Sequence, residues 1–524
     1  MKKLKLTKIV ALLLVLIMSF MVACAPAASN GAAPTPASPD TPATSGTPAE
    51  TNDEDEPGAA DGSGYTNRLG FELRDIVLDF RLGGAPSLGV DRISAAINEH
   101  LASIGRPYTV DLSFHDFPEY WDGTVNLILS TGEPVDGMFI AEWAGAVRTQ
   151  ATVGTLMALN PWLEAYPEIE QVLTAPFMNA NNIRGNTYAL PTNKEIARTT
   201  GWVARKDIVD AMGMDVSQVR NLDDLEPWLY KAAEEHDMWI FAWSPPVNFQ
   251  WDGLIRPLIS FYPFEDTVIF EPLHPATIEG YHRIARWNAD GLMNPNRNID
   301  SFAEGEYLAG HTWITGQQLK PGKDAEMAGG LGMEFVQMEF NVPEISMGET
   351  NGSMVTIPAG SVNPNEAFDF ILLTYTDPVI INLIMFGEAG IDFNYVDQGR
   401  GIITLLDSDW NNSGNAWTLG NQLNNYVTDL EDPNKWQAFA EFNAAARPLR
   451  SLGFVPDLTD PQVETWIAAA RVIEERFFDL IRGLTPPDMV DAEIERLRSE
   501  AEAAGIFDLV AEIQRQFDEW DAAQ

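Results

Sequence analysis

Apolar and polar positions alternate with two different periods along most of this chain. Tyr108, Val110, Leu112 and Phe114 are interleaved with Thr109, Asp111 and Ser113, the period of a strand with one buried face. Just upstream, Ile93, Ala96, Ile97, Leu101 and Ile104 recur at helical spacing, after a β-prone run Ile76–Phe80 that Gly83-Gly84-Ala85-Pro86 breaks. A helical stretch around 120–129, the breaker Gly132-Glu133-Pro134 and the apolar run Val135–Ile140 follow. Strand, helix, strand, helix, strand in so short a span predicts βαβ crossovers and a parallel sheet. A second α/β block follows. Gly201–Ala204 reads as a strand and Lys206–Met212 as a helix. Leu222–Trp228 opens another helix with Asp223 as N-cap. Much further along, Ser353–Ile357 reads as a strand and Asn365–Thr374 as a helix capped near Asn363, with Pro364 in its first turn. The tail changes character. Trp436, Phe439 and Phe442 suggest one helix and Trp466–Phe478 a second. In the last helix Val510, Ile513, Phe517 and Trp520 share a face, which predicts an amphipathic helix packed on the body.

The first 24 residues do not belong to this pattern. Lys2, Lys3, Lys5 and Lys8 precede an almost unbroken apolar stretch from Ile9 to Val22, an export signal by length and position. Ala23-Cys24-Ala25 at its end resembles the lipobox of bacterial lipoproteins, which implies cleavage before Cys24 and lipid attachment there. An ordinary secretory signal is the alternative. Residues 25–64, rich in Ala, Pro, Thr, Ser and Gly, cannot bury enough apolar surface to offset their conformational entropy and read as a disordered tether.

Composition narrows the function. The 524 residues carry 33 Lys+Arg against 76 Asp+Glu, a formal charge of −43, so phosphate backbones are poor partners and nucleic acid is not expected. A single cysteine forbids internal disulfides and thiolate metal sites, and the six histidines are scattered, so no metal or cofactor is expected. Gly83-Gly84 and Gly329-Gly330 complete no phosphate-binding motif and read as turns. No catalytic motif emerges, and no enzymatic activity is expected.

Several segments together resemble one family. The lipobox, Asn-Thr-Tyr-Ala-Leu-Pro-Thr at 186–192, the run at 200–215 beginning Thr-Gly-Trp-Val-Ala-Arg, Asn-Leu-Asp-Asp-Leu-Glu-Pro-Trp-Leu at 221–229 and the stretch 351–373 are similar to those of extracellular solute-binding lipoproteins of bacterial ABC sugar importers. From about 417 onward the chain looks like the helical C-terminal region of one large branch. The resemblance implies an α/β fold of the two-lobe periplasmic-binding-protein-like type II class, with a hinge and a helical C-terminal extension. Carried onto this chain, it implies a signal at 1–24, a tether at 25–64, lobe 1 at 65–195 plus 350–390, lobe 2 at 196–349 plus 391–430, and the helical region at 431–524. Asn186–Thr192 and Gly352–Pro358 are the expected hinge segments.

A sugar presents C–H faces to aromatic rings and hydroxyls to planar polar side chains. The ligand-binding candidates are therefore Glu142, Trp143, Trp243, Trp251, Asp252, Trp313, Asn394, Tyr395, Trp410 and Trp417, where indoles or phenols neighbour Asp, Asn, Glu or Gln. For Trp143, which follows a predicted strand at once, covering the sheet end is an equally good account. The implied function is capture of a carbohydrate, an oligosaccharide in the first instance, for an ABC importer. The implied partners are the permease subunits. The protein would act as a monomer on the extracytoplasmic face of the cell membrane, held only by its N-terminal lipid. A peptide receptor and an extracellular carbohydrate-active enzyme are the alternatives.

Overall fold

A computed structural model describes residues 64–524 apart from 85–86, 118–122, 242–245, 249–250, 256–257 and 295–302. The export signal, Cys24 and nearly all of the tether therefore lie outside the described residues. The alternating segments form two separate sheets. The first has the strand order Thr109–His115, Val77–Gly83, Gly137–Ile140, Met354–Thr356, Ala189–Pro191. Its first three members run parallel, as the βαβ pattern predicts, while Met354–Thr356 returns antiparallel between two neighbours. The second sheet has the order Phe335–Glu339, Thr199–Arg205, Thr312–Leu319, Trp239–Phe241. Each sheet is the centre of one lobe.

Hydrophobic faces decide the layering. Leu78, Phe80, Leu112, Phe370 and Ile381 join one core on one side of the first sheet, and Met138, Phe139 and Ile140 face a second core with Val125 and Leu129. The second lobe buries Trp202, Ile208, Leu225, Trp287 and Trp313 against its own sheet. Most elements fall where the periodicity puts them, including the helix Lys206–Met212. The helix Leu222–His236 is capped by the Asn221 side chain, which accepts from Asp224 N, rather than by Asp223. Gly329-Gly330 is not a turn but part of the helix Lys323–Leu331. Among the described residues no single helix is long and apolar enough to cross a membrane.

Two assignments change. The stretch 391–430, placed by the sequence in lobe 2, packs into the first core through Phe393, Ile403, Trp410 and Leu419. Its apolar residues match the buried face of Pro378–Phe386, the helix they follow, so the chain has not yet left lobe 1. The C-terminal region is not helical alone. Its helices share a core with the three-stranded sheet Asp252–Ile255, Ile259–Tyr262, Thr267–Phe270, where Phe261 and Phe454 lie 5.0 and 5.4 Å from Phe517. The helix Pro275–Ala289 joins this core to that of lobe 2, with Tyr281 and Ala285 facing one and Ile284 and Trp287 the other.

The hinge also shifts. Ala189–Pro191 and Met354–Thr356 are strands inside lobe 1, so the crossings are 192–198, 340–353 and the helix Lys435–Ala445. One side chain stitches the first to the third. Asn443 Oδ1 accepts from the backbone of Ile196 at 2.9 Å and of Ala197 at 3.3 Å, and its amide donates to Lys194 O at 3.3 Å. Arg447, two residues beyond that helix, pairs with Glu344 of the second crossing.

Phe517→Ala removes the ring at the centre of the C-terminal core. It is expected to cost about 3–5 kcal/mol of stability, read as a lower denaturant midpoint by circular dichroism.

Candidate functional site

Three crossings leave a cleft between the lobes, with a cavity of about 900 Å³. Its wall on the first lobe is aromatic. Trp143 follows the strand Gly137–Ile140 at once, and its indole N–H donates to Gly352 O at 2.6 Å. Gly352 has a steric reason to be glycine, since a Cβ there would lie 2.5 Å from Gly348 O. Trp417 sits 6.3 Å from Trp143, tilted by 38°, and stacks at 5.3 Å on Phe117. Both indoles are half-buried and line the cavity, so each keeps part of an apolar face open to it.

The opposite wall and the floor are polar. Gln317, Gln318 and Lys320 come from the strand Thr312–Leu319 and its end, and Lys323 and Glu326 from the helix that follows. Lys194, Glu195 and Arg198 come from the first crossing, and Glu349 from the second. These side chains form a chain of alternating sign. Arg198 meets Glu349 at 3.1 Å, and Lys194 lies 4.0 Å from Glu349 and 3.2 Å from Glu195. Lys320 lies 3.4 Å from Glu195 and 2.9 Å from Glu326, which Lys323 meets at 2.8 Å. Gln318 also donates to Glu349.

Burial works against ionised carboxyls here, but the lysines outweigh it. Lys194 and Lys320 hold the Glu195 carboxyl below the ordinary carboxylate range. Lys320, Lys323 and Lys435 hold Glu326 well below it. Burial would also lower the Lys320 ammonium, yet Glu195 and Glu326 raise it above its ordinary value. Desolvated charges are tolerated because each is shared by opposite neighbours.

Of the ten sequence candidates, Trp143 and Trp417 line this cavity. Glu142 adjoins it but is tied to Arg148 at 3.1 Å. Trp243 lies outside the described residues. Trp313 and Trp410 are core residues, 0% and 2% exposed, because strand alternation turns the first inward and Phe114 packs edge-on against the second at 5.5 Å. Asp252 is fully buried against Ser451, and burial raises its pKa above the ordinary range, so it is a packing carboxyl at the junction with the C-terminal region. Trp251 packs beside His274 at 4.8 Å, on that same junction. Asn394 and Tyr395 stand on the small sheet of lobe 1, where Tyr395 bonds Tyr426 through its hydroxyl at 2.8 Å. The charged chain was not among the candidates. One signal for it was available: Lys194 and Arg198 are two scarce cations immediately after the 186–192 motif.

Comparison with known proteins follows the same outline. Residues 450–522 match a family described as a domain of unknown function, DUF3502. A relative from Streptococcus pneumoniae serotype 4, described as a carbohydrate ABC transporter substrate-binding protein, is 22% identical over 483 residues, covering 85% of this chain and 91% of its own. The N-glycan transport solute binding protein NgtS of Streptococcus pneumoniae, crystallised with Man1GlcNAc, superposes with a TM-score of 0.73 at 17% identity, over 85% of this chain and 100% of that one. A solute binding protein from Bifidobacterium longum infantis described as HMO binding gives 0.54 at 13%, over 85% and 99%. The chain therefore has the two-lobed fold of bacterial solute-binding proteins, as the sequence resemblance implies.

Lys320→Met would leave Glu195 and Glu326 buried with half their counter-charge, an expected loss of about 3–5 kcal/mol. Both carboxyls have folded pKa values below their unfolded ones, so they stabilise the fold above about pH 4.5, and that contribution fades as pH falls through the folded values. Chemical denaturation across pH 3–7 is expected to show the variant losing most at neutral pH and converging on the parent in acid.

Proposed function

We propose that this chain is a lipid-anchored, extracytoplasmic receptor that captures an oligosaccharide between its lobes and presents it to the permease of an ABC importer. One observation carries the reading. A pair of half-exposed indoles faces a floor of Lys, Arg, Glu and Gln across a cleft of about 900 Å³. Indole faces suit the C–H faces of sugar rings, and the floor suits their hydroxyls. The names of the relatives support the ligand class, and the lipobox ending in Cys24 supports the anchor.

The ligand contacts both walls only when they meet, so its binding energy favours the closed form over the open one. The closed form is the shape the permease recognises. Capture leaves the sugar unaltered. A glycosidase of the usual kind needs one carboxyl protonated near neutrality, whereas Glu195 and Glu326 are both held ionised by neighbouring lysines.

Titration calorimetry against mannosyl-N-acetylglucosamine, kestose, human-milk oligosaccharides and a set of short peptides tests the proposal. At least one sugar is expected to bind, and Trp143→Ala or Trp417→Ala is expected to weaken it by about 1–3 kcal/mol. Binding of peptides alone would overturn it in favour of a peptide receptor. Cys24→Ala is expected to move the protein from the membrane fraction to the soluble one in fractionated cells.

A further inference from the structure

The charges on the cleft floor do not cancel. Among the described residues lining the cavity, Arg198, Glu349, Lys194, Glu195, Lys320, Glu326 and Lys323 alternate in sign and begin and end with a cation. Four positive charges thus face three negative ones, in a chain whose acids outnumber its bases 76 to 33. Each carboxylate already has a cation on either side. Among the described residues, Arg198 and Lys323 make one carboxylate ion pair each; Arg198 also donates to Trp251 O at 3.1 Å and acts electrostatically on the buried Asp252, whose carboxyl burial pushes above its ordinary range. Lys323 is the more exposed end, at 21%. Two further pairs lie nearby, Arg148 with Glu142 and Lys435 with Glu431, and each is neutral in itself.

Closing the lobes on a ligand strips water from this floor. A neutral sugar would leave the surplus cation desolvated and uncompensated, which opposes closure. A ligand carrying one negative charge would restore the balance inside the cleft. It would also complete the alternation at Lys323 without displacing any existing pair.

Resting on the sugar-capture reading, we propose that the cleft selects an acidic sugar, one bearing a carboxylate, and that Lys323 receives that group. The acidic surface does not contradict this. At physiological salt, exposed charges farther than about 8 Å away are largely screened, whereas Lys323 would meet the carboxylate directly in a partly dehydrated cleft.

The test uses the same oligosaccharide panel. Each sugar is titrated calorimetrically in its neutral form and after selective oxidation of its primary hydroxyls to carboxylates. For the parent protein, at least one oxidised sugar is expected to bind about tenfold or more tightly than its neutral counterpart, with the preference shrinking as salt is raised. In Lys323→Met that ratio is expected to fall towards one. In Lys206→Met, which removes the same charge from the exposed pair with Asp210, the ratio should persist. Because the ratio compares two ligands on one protein, a general loss of stability does not mimic the effect. Neutral forms that bind as tightly as the oxidised ones, or a preference that survives Lys323→Met, would overturn the acidic-sugar inference and leave sugar capture standing. If no sugar binds in either form, sugar capture falls, and this inference falls with it.

Discussion

The cleft is organised by a row of side chains that alternate in charge from Arg198 to Lys323. Its members come from the first and second crossings and from a strand and helix of the second lobe. Isolated charges at such burial would be costly, and removing one partner of such a pair strands the other. The row therefore makes the relative placement of these elements interdependent. Glu195 on the first crossing is shared between Lys194 beside it in sequence and Lys320 of lobe 2. Asn443, bound to the backbone of the same crossing, adds the third connection to that arrangement.

The two walls of the cleft differ in chemistry. The aromatic wall is built on lobe 1, with Trp143 pinned by its N–H to Gly352 and Trp417 backed by Phe117. A donor that is already satisfied leaves the ring to act as a surface. The polar wall is built largely on lobe 2 and the crossings, where Gln318 and the lysines line the gap and are tied to its glutamates.

The C-terminal region has a structural place in this design. Its helices complete a core with three strands from the middle of the chain, and the helix Pro275–Ala289 belongs to that core and to the core of lobe 2. That shared helix packs the C-terminal region directly on lobe 2. The ion pair of Arg184 with Asp457, at 3.0 Å, is an exposed contact between this region and lobe 1 and is weak by comparison.

Periodicity made the secondary structure legible because it records which face of an element meets a core. The helix Lys206–Met212 and the strand Thr109–His115 could be read off directly, and the motif order pointed to the two-lobed fold. The same local signals could not say which indoles face the cleft. Trp313 and Trp410 carry the same neighbours in sequence as cleft residues would, yet they are buried, because that depends on what packs above them from distant segments. Nor could the sequence place 391–430, whose apolar residues suit either lobe until the helix before it is seen to lie in the first. The row of charges was the least visible of all. Its members lie between positions 194 and 349, and each alone reads as an ordinary surface residue. Lys194–Glu195 and Lys323–Glu326 are local pairs, but only the meeting of the crossings with lobe 2 joins Glu349 to Arg198 and Lys194, and Glu195 to Lys320, since Coulomb attraction between distant positions acts once the chain is folded.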